Sequence, residues 1–139
     1  MAGYKVLPHT ADLKILIEAA SLEELFARAG ESLVSIIVDR RRVRKAGKKE
    51  AFVEGAGIED LFFNFLRWVH FQFYGEGFLI RSINGKLERG ECIYRPEAWG
   101  EPFHEGRHVL KTEIKAVTYH DLRVEKSAEG YMATFILDV

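Results

Sequence analysis

The chain has 139 residues and a mass of 15.9 kDa, which fits a single domain over residues 1–139, because domains most often have about 100–150 residues. Its 20 basic and 21 acidic side chains give a formal net charge of −1, which argues against a protein that mainly coats nucleic acid. The hydrophobic fraction of 47% excludes an intrinsically disordered chain. Its single cysteine, Cys92, excludes an internal disulfide, so we expect a reducing, cytoplasmic compartment.

Neither a secretion signal nor a membrane span is predicted. The first residues lack a basic stretch followed by an apolar one. The most apolar segment, residues 61–74, is shorter than the roughly 20 residues that cross a bilayer, and it contains polar side chains. We therefore expect no association with a membrane.

The first elements along the chain are a strand and a helix. Residues 13–19 alternate between apolar and polar side chains, which predicts a half-buried strand. Ser21 and Glu24 have the spacing of a capping box, in which Glu24 reaches back to the N–H of Ser21. The apolar stripe that follows predicts a helix that ends near Asp39.

A basic run occupies residues 40–49, where seven of ten side chains are cationic. It indicates either a loop that contacts RNA or phosphate or a solvated connector beside a helix C-terminus, where cations are favoured. We favour the connector, because the rest of the chain offsets the charge. A short strand is predicted at residues 51–54.

The second half predicts one helix and then strands. Residues 58–74 form an apolar helix, and Asn84-Gly85 has the composition of a type I′ hairpin turn. Residues 88–105, rich in Gly, Pro and charge, are expected to be irregular. Strands are expected at 109–125 and 131–139. In the first of these, alternate residues should share one face: Ile114, Ala116, Thr118, His120, Leu122 and Val124.

The order of these elements predicts an α+β fold, with mainly antiparallel sheets and two packed helices in one domain. A doubly wound parallel sheet is excluded, because the strands end in hairpins and no Gly-rich phosphate motif is present.

Zinc and cysteine chemistry are poorly supported. Cys92 is the only cysteine, and His104 and His108 lie in a segment that does not predict a helix. A pair of His9 and His120 could act as acid and base in a metal-free nuclease, but no motif supports it. Lys115 must face solvent or a carboxylate, since it lies between apolar strand residues.

Three carboxylates offer a metal site. Asp12 begins the first long strand, and Asp138 precedes the terminal carboxylate of Val139. If the terminal strand pairs with the first one, these three groups converge, and a hard divalent cation such as Ca²⁺, Mg²⁺ or Mn²⁺ would relieve their repulsion. The alternative is a strand-end aspartate and a frayed tail.

Three segments taken together resemble the archease family. They are His-Thr-Ala-Asp-Leu at 9–13 followed by Ser-Leu-Glu-Glu-Leu-Phe at 21–26, Glu-Ile-Lys-Ala-Val-Thr-Tyr-His at 113–120, and Ile-Leu-Asp-Val at 136–139. The resemblance spans the chain in order. It departs from the family pattern at the last residue, where valine replaces a frequent isoleucine and keeps the terminal carboxylate.

The resemblance implies a helper of the RtcB-type RNA ligase, which joins RNA ends in tRNA splicing and RNA repair. Such a helper is not itself an enzyme. It speeds guanylylation of the ligase and permits multiple turnover, and it contacts RNA only through its partner. The resemblance also implies a metal site, usually calcium with magnesium or manganese as alternatives, at Asp12, Asp138 and Val139. His9, Lys115 and His120 would contact the partner or a phosphate.

Two other functions stay open at this point. One is a stand-alone RNA-binding or chaperone-like module that uses the basic run at 40–49 and the aromatic helix. The other is a metal-dependent hydrolase. The sequence leaves open the oligomeric state, the metal used in the cell, the RNA substrates of the partner and the surface that docks the ligase.

Overall fold

The computed structural model describes residues 3–7 and 12–139 and has two helices and eight strands. In chain order these are β1 (Lys5–Leu7), β2 (Leu13–Ala19), α1 (Leu22–Ile37), β3 (Gly47–Glu50), β4 (Val53–Glu54), α2 (Ile58–Tyr74), β5 (Phe78–Glu88), β6 (Ile93–Pro102), β7 (Ala116–Ser127) and β8 (Gly130–Asp138). All strand pairs among the described residues are antiparallel. The predicted α+β fold is confirmed.

The strands form two four-stranded sheets. The first has the order β1-β2-β8-β7, so the last strand lies between the first long strand and β7. In the second, β6 pairs with β5 along its whole length and with β3 and β4 in succession. Both helices contact both sheets, which places the core between them.

Helix α1 begins where the capping box predicts. The Oγ of Ser21 accepts a hydrogen bond from the N–H of Glu24 at 3.2 Å, and the Glu24 carboxylate accepts one from the N–H of Ala20 at 3.1 Å. The second bond reaches one residue further back than the predicted partner, Ser21. The helix ends at Ile37, two residues before the expected end.

An aromatic cluster joins the helices to the sheets. The ring centroid of Phe26 in α1 lies 5.0 Å from that of Phe62 in α2 and 4.7 Å from that of Tyr94 in β6. Phe62 in turn contacts Phe135 in β8, with centroids 5.8 Å apart. Because all four side chains are fully buried, they connect every layer of the core.

The predicted bounds of the second helix are confirmed, and most of its aromatic far side is covered. Phe63 packs on Tyr119 at a centroid distance of 4.8 Å, and Trp68 stacks on Phe65 at 6.3 Å. Phe71, however, is 54% exposed. Within residues 3–7 and 12–139, no helix has both the length and the apolar character that crossing a membrane requires.

The prediction of a turn at Asn84-Gly85 is wrong, because β5 runs straight through this pair. Gly85 lies opposite the ring of Tyr94, which would overlap a Cβ atom at that position. The glycine therefore makes room for a core tyrosine. The turn lies at residues 89–91 instead, where Arg89, Gly90 and Glu91 all have positive φ.

The expectation of an irregular segment at 88–105 is also wrong, because this segment contains β6, the strand that connects the second sheet. The C=O of Pro96 accepts a hydrogen bond from the N–H of Ala51 at 3.3 Å, in the gap between β3 and β4. The amide N and the C=O of a strand residue point to the same side. The nitrogen of Pro96 therefore faces the gap between β3 and β4, where no strand residue needs a hydrogen bond from it. Proline, which has no N–H to donate, is tolerated there.

The strand expected at 109–125 begins only at Ala116 and contains a bulge. Thr118 pairs with Ile136 and Arg123 with Thr134, so four residues of β7 lie opposite Phe135 alone. The extra residues change the alternation of faces. Leu122 is therefore buried while His120 is exposed, and the predicted common face at 114–124 is wrong.

Candidate functional site

The register of β2 and β8 brings the ends of two strands together. Their last pair is Leu13 with Leu137, so Asp12 comes directly before this pair and Asp138 directly after it. Asp12, Asp138 and Val139 are all half-buried. The expected pairing of the terminal strand with the first long strand is thus confirmed, and two acidic residues adjoin at one edge of neighbouring strands.

A short irregular segment at 111–115 supports this edge. The N–H of Lys115 donates to the C=O of Asp138 at 2.7 Å, and the N–H of Lys111 donates to the C=O of Ile37 at 2.7 Å. Because this segment spans at most about 14 Å, the C-terminal end of α1 lies at the same end of the molecule as Asp138.

Two residues of α2 hold that segment, and the sequence analysis missed both. The Tyr74 hydroxyl accepts a hydrogen bond from the N–H of Ile114 at 2.8 Å, and His70 Nε2 lies 2.7 Å from the Ile114 C=O. Partial burial raises the pKa of Tyr74, which keeps the hydroxyl protonated. Their signal in the sequence is a pair of polar-tipped rings four residues apart on an apolar helix, where such residues are neighbours.

The remaining predicted contact residues lie at different places. Lys115 is exposed directly before β7. His120 is exposed in the bulge, with Nε2 3.6 Å from the Asp121 carboxylate. The bulge lies opposite Phe135, three residues along β8 from Asp138 and thus about 10 Å away. His9 lies outside the described residues, so its pairing with His120 stays a prediction.

The donors at the strand ends fit a hard cation by their chemistry. Asp12, Asp138 and the carboxylate of Val139 offer oxygen atoms alone, which Ca²⁺, Mg²⁺ and Mn²⁺ prefer. Among the described residues, no three side chains of His, Cys, Asp or Glu form a group that could hold a metal. The predicted site has only two such side chains, so it depends on the main-chain carboxylate as its third donor.

The basic run at 40–49 is a connector with most of its cationic side chains exposed, as the sequence favoured, but hydrogen bonds hold its main chain. A 3-10 turn at Arg40–Arg42 is capped by the Asp39 carboxylate, which accepts the N–H of Arg41 at 3.2 Å. Val43 is buried, and the N–H of Ala46 donates to the C=O of Gly100 at 3.0 Å. The run therefore joins α1 to the second sheet along a fixed path.

A buried carboxylate fixes the middle of this path. Glu101 accepts hydrogen bonds from the N–H of Arg44 at 2.9 Å, from His108 Nε2 at 2.9 Å and from the Arg107 guanidinium. Burial alone would raise the pKa of Glu101, but the bonds from Arg107, Arg44 and His108 outweigh it and lower the pKa to about 2. The side chain thus stays ionised in the folded protein.

Glu101 should make the stability depend on pH. Because its folded pKa lies below its usual value of 4.5, its stabilisation is complete above pH 4.5 and is lost as the pH falls towards 2. Urea unfolding of Glu101→Gln at pH 7 should show a loss of about 1–3 kcal/mol that shrinks at acid pH. Glu129→Gln, at an exposed turn, is the matched control. A loss of unfolding free energy in Glu101→Gln that does not change with pH would contradict the lowered pKa of Glu101.

Comparison with known proteins gives one family. The sequence model of the Archease protein family matches residues 4–139. The chain is 37% identical to the protein archease of Pyrococcus abyssi over 142 residues and 30% identical to that of Saccharolobus solfataricus over 139 residues, with 100% of each chain covered.

Two solved structures share the fold. The solution structure of Methanobacterium thermoautotrophicum protein 1598 has a TM-score of 0.81 at 24% identity, with 100% of both chains covered. The crystal structure of an archease and possible chaperone from Thermotoga maritima has a TM-score of 0.65 at 24% identity, covering 97% of this chain and 96% of that one. Family match, full-length relatives and fold agree: this chain belongs to the archease family.

Proposed function

We propose that this protein activates an RtcB-type RNA ligase in tRNA splicing and RNA repair. It would promote guanylylation of the ligase and allow multiple turnover, as an accessory protein and not as a catalyst. Membership of the archease family supports this role. The observation that carries it is the register of β2 and β8, which brings Asp12 and Asp138 to one edge beside the last residue.

In this proposal Asp12, Asp138 and the Val139 carboxylate hold a divalent cation, with calcium as the first choice. Bound there, the cation supplies positive charge that neutralises the carboxylates. The bond from the Lys115 N–H to the Asp138 C=O fixes the main chain of Asp138, and β2 and β7 flank it on both sides. The neighbouring strands therefore hold the main chain at this end of β8, which favours a site there.

The same end of the molecule would dock at the ligase active site. Lys115 is exposed beside Asp138, so its ammonium is free to meet a phosphate of the nucleotide or of the ligase substrate. His120 is exposed about 10 Å away along the sheet and would meet the partner at the margin of this surface. His9 is a further candidate from the sequence alone.

A guanylylation assay tests the proposal. The ligase from the same organism is incubated with GTP and RNA ends, with and without this protein. We expect faster guanylylation and repeated turnover when the protein is added. An unchanged rate of guanylylation would contradict the proposed function.

Variants at the strand ends that carry Asp12, Asp138 and Val139 test the proposed site within the same assay. Asp138→Asn, or one residue added after Val139, should lower the stimulation by at least about tenfold, because one lost charge-assisted contact costs about 1.5–3 kcal/mol. Glu129→Gln removes the same charge at the opposite end of β8 and should leave the stimulation unchanged. Circular dichroism checks that each variant is folded. Full stimulation by folded Asp138→Asn would exclude a role for the Asp138 carboxylate in activating the ligase.

A further inference from the structure

A cleft of about 610 Å³ lies between the basic run and the second sheet. Its lining contains six cationic side chains, which come from the run, from β5 and from the segment after β6: Arg41, Arg42, Arg44, Lys45, Arg81 and Arg107. The chain as a whole has a net charge of −1. Positive charge is therefore concentrated in this cleft, although the chain as a whole is nearly neutral.

Most of these cations lack an acidic partner. Arg41 pairs with Asp39 and Arg107 with Glu101. The other four cationic side chains of the lining have no carboxylate within 4.0 Å in the part of the chain that the structure describes. Like charges held together in a cleft attract anions and raise their local concentration.

The backbone beneath these side chains is fixed. The Arg81 guanidinium donates to the C=O of Arg41 at 3.0 Å and to that of Val43 at 3.2 Å, and the N–H of Arg44 is bound by Glu101. The side chains of Arg42, Arg44 and Lys45 remain exposed above this frame. A ligand would thus bind without the cost of ordering a loop.

Among the described residues, one buried side-chain donor has no acceptor, and it belongs to the lining of the cleft. Arg107 Nε is buried and makes no hydrogen bond, although another nitrogen of the same guanidinium binds Glu101. Buried donors are nearly always paired in native proteins. This unpaired donor belongs to a guanidinium that lines the cleft.

The composition of the lining limits the kind of anion. Among the described residues of the lining, Val43 is the one apolar residue and none is aromatic, so a nucleobase would find no aromatic ring for stacking. We propose that this cleft binds the phosphodiester backbone of a nucleic acid strand without reading its bases. The protein would then contact RNA directly, and not through a partner alone; this proposal does not depend on the ligase.

Fluorescence anisotropy with labelled RNA and DNA strands of about 20 nucleotides tests the proposal at a series of salt concentrations from about 50 mM. Four cations give an expected slope of log affinity against log salt of about −3 for a single strand. Arg42→Gln, Arg44→Gln and Lys45→Gln combined should cut the affinity by at least about tenfold and reduce the slope by about 2. RNA and DNA should bind within about threefold of each other, because the backbone charge is the same.

The matched control combines Lys86→Gln, Arg123→Gln and Lys126→Gln, which remove the same charge from exposed sites outside the cleft. It should bind the strands as the unaltered protein does, and melting temperatures check that both triple variants are folded. The proposal fails if the unaltered protein does not bind at low salt, or if both triple variants lose affinity equally. It also fails if inorganic phosphate displaces the strand at an equal concentration of phosphate groups.

Discussion

Replacing Phe26 with alanine should lower the free energy of unfolding by about 3–5 kcal/mol. Phe26 is fully buried, and its ring contacts Phe62 and Phe65 of α2 and Tyr94 of β6. Removing the ring leaves a cavity among groups that belong to both helices and the second sheet. Since these elements cannot collapse together without breaking strand pairs, the cavity should remain largely open.

Urea unfolding followed by circular dichroism measures this loss. Because domains of this size are stable by about 5–15 kcal/mol, Phe26→Ala should remove a large fraction of the total. Phe71→Ala is the matched control, since Phe71 is 54% exposed on α2, and its loss should stay below about 1 kcal/mol. Equal losses in the two variants would show that the cluster does not connect the core as described.

A second large effect is expected at Gly100, near the end of β6. Gly100 pairs with Gly47 of β3 on one side and with Ile80 of β5 on the other. A Cβ atom there would overlap the C=O oxygen of Leu79 and lie 3.0 Å from the Cα of Ile80. Because the obstacle is the backbone of a paired strand, Gly100→Ala should cost about 3 kcal/mol or more.

Thermal unfolding of Gly100→Ala and of Gly106→Ala separates this steric effect from the general effect of removing a glycine. A Cβ atom at Gly106 meets no atom within 4 Å, so the control should melt close to the unaltered protein. Gly100→Ala should melt about 10 °C lower or more. A Gly100→Ala variant that melts with the control would contradict the close approach of β5.

The sequence predicted those elements whose signals are local. The bounds of α2 were right at both ends, because its apolar stripe begins after Gly57 and stops at Gly75. The start of α1 was right because a capping box lies within a few residues. In β6, by contrast, the glycine and the proline do not mark turns, because contacts with neighbouring strands explain both residues. Gly100 is needed by β5, and Pro96 is allowed by the gap between β3 and β4.

The candidate site was predictable in part for the same reason. The adjacency of Asp12 and Asp138 follows from one pairing of strands, which the sequence analysis anticipated. The spacing of His70 and Tyr74 marks them as neighbours on α2, but which segment they support depends on how the helix packs. His120 was placed wrongly because a bulge shifts the alternation without a glycine to mark it; Asp121 adopts the positive φ instead.

That bulge also bears on how the protein avoids aggregation. β7 has 12 residues and lies at an edge of the first sheet, where a regular strand would present a continuous row of unpaired N–H and C=O groups to another molecule. Its three extra residues interrupt this row, and the opposite edge strand, β1, has 3 residues in the part of the chain that the structure describes. Each edge of this sheet is therefore a poor template for a strand of a second molecule, and an engineered β7 without the bulge should be prone to intermolecular sheet formation.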